Sequence, residues 1–442
     1  PFELIALDAQ QPNIWSFTTP NGLQTYQQSS DFIVAAGKQD LTANLNQAQL
    51  VFVGYGIQAP EYDWDDYKGV DVSGKVLVMM NNDPDWDPKL FGGEMRMYYG
   101  RWTYKYEIAA KLGAAGVIII HTDHSAGYPW QVVQTSWTGP QFELPNEGEP
   151  TLEVKGWMSN ASMSDLLARA GQNLDSLRQQ ARSRDFQPVN IAITTDMTLP
   201  ITITTNTSAN VLARLPGSDL SDEVIVYTAH HDHLGIGVAN SPDEDVIYNG
   251  ALDNATGVAS VLAISKAFTQ LPSTTKRSVL FAFVGAEEQG LLGSKYLAQH
   301  PPVAAGKIAA AINMDGAQIN GRSLDISYVG FGRSTIDQAA QKAADLQSRV
   351  IKGDQNPSKG YFYRSDHFSL AKIGVPSLNF KGGEDLRNGG IEAGKAFNEI
   401  YTNKNYHQPS DEITSDWLFD GMVEDAQFGF YTGWVLANQT KF

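Results

Sequence analysis

The stretch Ser278–Gly293, SVLFAFVGAEEQGLLG, places an unbroken apolar run, Val279–Val284, directly before a glycine and an acidic pair. The run has strand length and is rich in Val and Phe, and Gly285 ends it, so it predicts a buried strand that delivers Glu287 and Glu288 to its carboxyl end. In an open α/β sheet that end faces the crevice where ligands bind. Adjacent residues there point in different directions, so one glutamate can ligate a metal while its neighbour faces substrate. The plain alternative is an acidic loop in an acidic protein, and the rest of the chain decides between the two.

Working outward, Val224–Thr228, Ile308–Met314 and Val375–Phe380 read as further strands, and Thr256–Leu271, Leu291–Gln299, Thr335–Leu346 and Trp417–Leu436 as helices. From Ile201 onward strands and helices alternate, which predicts an α/β fold with a mostly parallel mixed sheet flanked by helices. Asp219–Glu223, Asn240–Asp245 and Gly382–Gly394 read as loops. Upstream, residues 50–195 read as a smaller α/β module, with strands at Lys75–Met80, Val117–Ile120 and Val189–Thr195 and helices at Tyr104–Leu112 and Ser164–Arg182. Residues 1–49 read as a lead-in segment and residues 196–442 as the larger domain. Trp86, Trp102, Trp130, Trp137 and Trp157 crowd the first half, where packing is the commoner use of such rings. His121 and His124 read as loop histidines on the surface.

The chain has 442 residues, which favours two or three domains. Its 32 basic and 49 acidic residues leave a formal charge of −17, a surface that repels phosphate backbones and anionic lipid, so nucleic acid is not an expected partner. There is no cysteine, which excludes disulfides, thiolate nucleophiles and Cys-ligated zinc together and leaves His, Asp and Glu for any metal site. No apolar run reaches the length of a membrane span.

Four further stretches join the acidic pair. The strand Val224–Thr228 runs into AHHDHLG, which puts His230 and Asp232 at its end; NGALDNATG puts Asp253 at the start of a helix; the strand Ile308–Met314 runs into Asp315; NYHQPSDE carries His407. Taken singly, Asp253 reads equally well as a helix cap, His407 as a loop histidine, and His231 and His233 as packed or exposed neighbours of the ligand. Jointly, imidazoles and hard oxygen donors at successive strand ends, without thiolate, suit zinc, manganese or cobalt, and an Asp shared between two metals is a usual device of hydrolytic sites.

HHDHLG, GALDNATGVA, GAEEQGLLGS, NMDG and YHQPSDE, in that order, resemble the di-zinc aminopeptidase family that also contains glutamate carboxypeptidase and the transferrin receptor ectodomain. The likeness covers roughly residues 210–442, and VFVGYGI with KLGAAGVIII in the first half resembles the protease-associated domain that some members insert. The resemblance implies two zinc ions per chain, with manganese or cobalt as alternatives: His230 and Asp315 on one metal, Glu288 and His407 on the other, and Asp253 bridging them. It further implies Asp232 as the carboxylate supporting this architecture, Glu287 as general base on the attacking water, and Tyr406 as hydrogen-bond donor to the developing oxyanion. RSDHFSL matches a family loop near the cleft, so Arg364, Asp366 and His367 are expected to touch a peptide substrate. The acidic insertion Val238–Tyr248 between His230 and Asp253 departs from the family pattern.

An aminopeptidase is therefore expected, with a carboxypeptidase or dipeptidase of the same family as the close rival and a non-catalytic, receptor-like binding protein as the rival of another class. Arg322, Arg333, Arg364 and Arg387 are the candidates for grasping a substrate carboxylate. The chain opens on Pro1, and together with the acidic surplus and the resemblance this raises the expectation of a secreted or periplasmic protein. The first domain is expected to cap the catalytic crevice; the sequence carries no sign of an oligomeric state.

Overall fold

The computed structural model describes residues 1–239 and 241–441. The chain forms two compact units, one built from Glu3–Asn206 with Pro357–Gly360, the other from Pro1–Phe2, Thr207–Asn356 and the residues from Tyr361 onward.

The second unit carries the acidic pair. Its seven-stranded sheet runs in the order Val211–Leu215, Arg277–Val284, Leu220–His230, Ile308–Asn313, Ser377–Gly382, Asp325–Val329, Val350–Gly353. Four central strands pair in parallel, whereas Val211–Leu215 and Asp325–Val329 run antiparallel to their inner neighbours. This is the mixed α/β sheet that the alternating elements predict. The central strands are buried almost throughout, as parallel strands covered on both faces must be. Alternate side chains serve opposite faces. Ile225, Tyr227 and Ala229 join Phe281, Phe380 and the helices Thr256–Thr269 and Phe419–Asn438, while Val224, Val226 and Leu280 join Leu297 and Leu370. Gly433 is required where the Phe419–Asn438 helix crosses Tyr227, because any Cβ there would collide with the tyrosine hydroxyl.

Most predicted elements lie within a few residues of their expected ends. The strand expected at Val224–Thr228 runs from Leu220 to His230, so most of the expected Asp219–Glu223 loop is strand and the histidine is itself the last strand residue. The expected loop Gly382–Gly394 instead opens the helix Gly390–Lys404, which buries only Gly394 and so has no apolar stripe to read. Of the Asn240–Asp245 loop, Asn240 lies outside the described residues. At the two ends of the Val238–Tyr248 insertion, Gly235–Ile236 pairs antiparallel with Ile247–Tyr248.

In the first unit, Thr42–Phe52, Val76–Met80, Gly116–His121 and Val154–Ser159 are consecutive neighbours or near neighbours in a ten-stranded sheet. Residues 3–49 contribute five strands or parts of strands to this same sheet, with Trp15, Phe17 and Phe32 in its core. The contact boundary thus falls after Asn206, and the expected lead-in is part of the unit. The polar helix expected over Ser164–Arg182 is two helices, Asn160–Arg169 and Leu174–Gln180, broken at Gly171 with φ +73. His121 is not on the surface: it ends the buried strand Gly116–His121 and its ring packs against Trp130 and Trp157, while His124 is exposed. Among the described residues, no helix is long and apolar enough to cross a membrane.

Candidate active site

Register brings the site together. His230 lies opposite Val284, three residues before Glu287, and Thr228 lies opposite Asn313, two residues before Asp315. Three adjacent parallel strands therefore release their chemistry at one edge. Asp253 comes from an irregular turn, Ala251–Ala255, ahead of the Thr256–Thr269 helix, with φ −113 and ψ 86. His407 follows the Gly390–Lys404 helix and has a left-handed backbone, φ +57.

The donor atoms form two sets joined by one carboxylate. His230 Nε2 lies 3.2 Å from Asp253 Oδ1 and 3.5 Å from Asp315 Oδ1. His407 Nε2 lies 3.6 Å from Asp253 Oδ2 and 3.0 Å from Glu288 Oε2. Glu287 joins the first set, since its donor oxygen, His230 and Asp315 fall within 4.8 Å of one another. The chemistry of these donors fits a metal. They are imidazole and carboxylate only, His230 Nε2 is buried with no hydrogen-bond partner among the described residues, and such sets suit zinc. His230 Nδ1–H donates to the Asp232 carbonyl oxygen at 3.2 Å, which leaves Nε2 as the nitrogen that faces the carboxylates.

Buried carboxylates stay in place only if their supports are complete. The Asp232 carboxylate accepts the backbone N–H groups of Glu287 (3.0 Å) and Glu288 (3.3 Å), just after Ala286 turns the chain with φ +58. Its support of the metal side thus runs through the acidic pair; its carboxylate is 3.9 Å from His230 Nδ1. Asp411 does the same for the Asp253 turn, accepting from the N–H groups of Leu252 (3.0 Å) and Asp253 (3.1 Å). Asn254 ties that turn to the Asp315 strand end, donating to the Met314 carbonyl (3.0 Å) and accepting from the Gly316 N–H (2.9 Å).

Electrostatics separate the two adjacent glutamates. Burial pushes the Glu287 carboxyl well above its ordinary range; His230 opposes this, and Glu288 and Asp315 add to it. Burial acts on Glu288 in the same sense, and Asp253 adds to it, but His407 and the hydrogen bond from His233 together hold the carboxyl down at about 2. Burial disfavours the His407 imidazolium, yet Glu288 and Asp253 hold its pKa up at about 10. Glu288 is thus an ionised, donor-ready carboxylate and Glu287 a group that favours its proton, the division expected of a ligand beside an acid–base residue.

The remaining expected residues are placed as follows. The Tyr406 ring packs on His407 with centroids 4.0 Å apart, and burial followed by Asp253 and Glu288 raises its hydroxyl pKa. Arg364 is half-buried, with its guanidinium 5.6 Å above the Tyr361 ring. Asp366 and His367 are fully buried, so as folded they offer no surface to a substrate. Arg322 pairs with Asp420 at 3.6 Å and Arg387 with Glu424 at 3.0 Å, and Arg333 stacks over Phe362.

Residues 210–428 match the model of peptidase family M28. They belong to that family. The M28 region holds every donor residue named above. Aminopeptidase YwaD of Bacillus subtilis is 28% identical over 181 residues, 41% of this chain and 32% of that protein. A probable zinc metalloprotease of Pyrenophora teres f. teres is 25% identical over 248 residues, 52% of this chain and 49% of that protein. The matched stretches thus span between about a third and a half of these curated relatives. In fold, the chain is similar to an aminopeptidase from Aneurinibacillus sp. strain AM-1, with a TM-score of 0.53, 19% identity, and coverage of 100% of this chain and 84% of that one.

Three residues of the M28 region escaped sequence reasoning as site residues: His233, Asn254 and Asp411. Each lies within a quoted motif, so position was a signal, but their roles depend on which backbone groups face them.

Proposed function

We propose that this chain is a zinc-dependent aminopeptidase that releases the N-terminal residue of peptides, working with two ions held by His230 and Asp315, by Glu288 and His407, and by Asp253 between them. The observation that carries the reading is the pair of donor sets meeting on the two oxygens of Asp253. Membership of the M28 family and the zinc metalloprotease and aminopeptidase relatives support it. Bound zinc would supply a Lewis acid for the peptide carbonyl and a water acidified toward neutral pH.

The chain's own residues do the rest. Glu287, held by Asp232 through its backbone N–H, takes a proton from the attacking water onto its carboxylate and returns it to the departing amine. Burial raises its affinity for a proton, which makes the ionised carboxylate a stronger base toward the water. The Tyr406 hydroxyl donates a hydrogen bond to the oxygen that gains charge. Of the four arginines that could grasp a substrate carboxylate, Arg322 and Arg387 are already paired within the chain. Their pairing weighs toward amino-terminal recognition, as do the aminopeptidase relatives.

The test uses three versions of one pentapeptide with the zinc-loaded protein: free, N-acetylated and C-amidated. The expected result is release of the first residue from the free and amidated peptides and none from the acetylated one. Cleavage that survives acetylation but is lost on amidation would replace this reading with a carboxypeptidase, and no hydrolysis of any of them would remove the catalytic reading.

A further inference from the structure

His233 is the third imidazole at the centre, and nothing in the proposed ligand set or proton path uses it. Its side chain is 6% exposed, and its Nδ1 lies 2.6 Å from Glu288 Oε1. A carboxylate can only accept, so the ring nitrogen is the donor. The other Glu288 oxygen, Oε2, faces His407 Nε2 at 3.0 Å. The two oxygens of one carboxylate are therefore divided between two imidazoles. The His233 ring also stands edge-on to His407, with centroids 5.6 Å apart and planes at 83°.

Room for the ring comes from a glycine. At Gly250, φ +61, a Cβ would lie 2.5 Å from the Asp253 carbonyl oxygen, 2.8 Å from His233 Cγ and 3.0 Å from His233 Cβ. The turn that delivers Asp253 three residues later is thus shaped to admit the imidazole. His231, two residues earlier, turns away: it is exposed, with Nε2 3.0 Å from the Ala209 carbonyl oxygen.

We propose that His233 is a positioning residue for Glu288, holding Oε1 in a hydrogen bond so that the carboxylate presents Oε2 alone to a metal shared with His407. This rests on the metal-site reading above and adds to it how one ligand is aimed. Without the bond, the buried carboxylate would rotate freely between one-oxygen and two-oxygen presentation, and would lack the partner that orients it. Removing such a supporting hydrogen bond typically costs about 10–100-fold in metal affinity.

The test measures zinc affinity by equilibrium competition with a chromophoric chelator, ion by ion, on the full chain and on His233→Ala, His233→Phe and His233→Gln, with thermal unfolding of each metal-free form. Gln keeps an N–H donor, Phe keeps the ring volume, and Ala keeps neither. The expected result is a loss of about 10–100-fold for one of two ions in Ala and Phe, affinity of wild-type order in Gln, and the second ion unchanged. If Ala fails to fold, the contrast between Phe and Gln decides the same point. Wild-type affinity in Phe would show that the ring only fills space. Loss in Gln equal to that in Ala would show that His233 is itself a ligand. Either result overturns the proposal while leaving the metal centre standing, whereas a wild-type chain that binds no zinc overturns both.

Discussion

Replacing Asp232 tests the way the acidic pair is held. Its carboxylate accepts two backbone N–H bonds, from Glu287 at 3.0 Å and Glu288 at 3.3 Å, in a turn whose non-glycine Ala286 already sits at φ +58. Asp232→Ala strips both acceptors. A buried N–H left unsatisfied costs about 1–3 kcal/mol, so two predict a loss of about 2–6 kcal/mol in unfolding free energy. Asp232→Asn keeps one acceptor oxygen and should lose about half as much. Function should suffer more steeply than stability, because Glu287 and Glu288 are displaced together and a shift of about 1 Å in a catalytic group can cost roughly 10²-fold in rate. Urea unfolding of the metal-free chains gives the first quantity, and kcat on a dipeptide with zinc content by elemental analysis gives the second. An alanine variant within about 0.5 kcal/mol of wild type that still turns over at full rate would refute the claim that these two bonds hold the acidic pair.

Three shorter predictions accompany it. Glu287→Gln should keep its zinc while kcat falls by about 10²–10⁴-fold, the usual worth of positioned proton transfer, whereas Glu288→Ala should lose metal and turnover together; metal loss in the first or full activity in the second reverses the assignment. Dialysis against a chelator should abolish peptide hydrolysis and added zinc should restore it, read as initial rates before and after. Burial and Arg333 hold the His367 imidazole down at about 3, so below pH 6.5 the unfolded chain binds a proton that the folded chain refuses, and stability is lost progressively as pH falls toward 3, by at most about 5 kcal/mol. The pH slope of wild type minus that of His367→Phe isolates this from Asp366, whose carboxyl burial raises to about 7 and which pulls the opposite way between about pH 4 and 7; identical slopes refute it.

The central sheet and the place of the main donors could be read from the amino acids, for one physical reason. Parallel strands covered on both faces must be apolar along their whole length, so IVYTAH, SVLFAFV and IAAAINM declare themselves, and the polar residue that ends each run marks the crevice edge. His230, Glu287, Glu288 and Asp315 were legible in that way. The helix Gly390–Lys404 and the short strands Asp325–Val329 and Val350–Gly353 were not, since the helix buries almost nothing and the strands are too short to show a period.

Only the tertiary structure decided what lies beyond the strand ends, where no repeat governs which way a side chain turns. His231 and His233 are two residues apart and chemically identical, yet one turns out to Ala209, beside Gly285, and the other in to Glu288, beside Gly250. Asp411 and Asn254 support the Asp253 turn through backbone groups of Leu252, Asp253, Met314 and Gly316, partners that any sequence offers at every position. Which of those identical backbone groups meets which carboxylate is set by where the strands and helices stop, and that is a property of the packed chain.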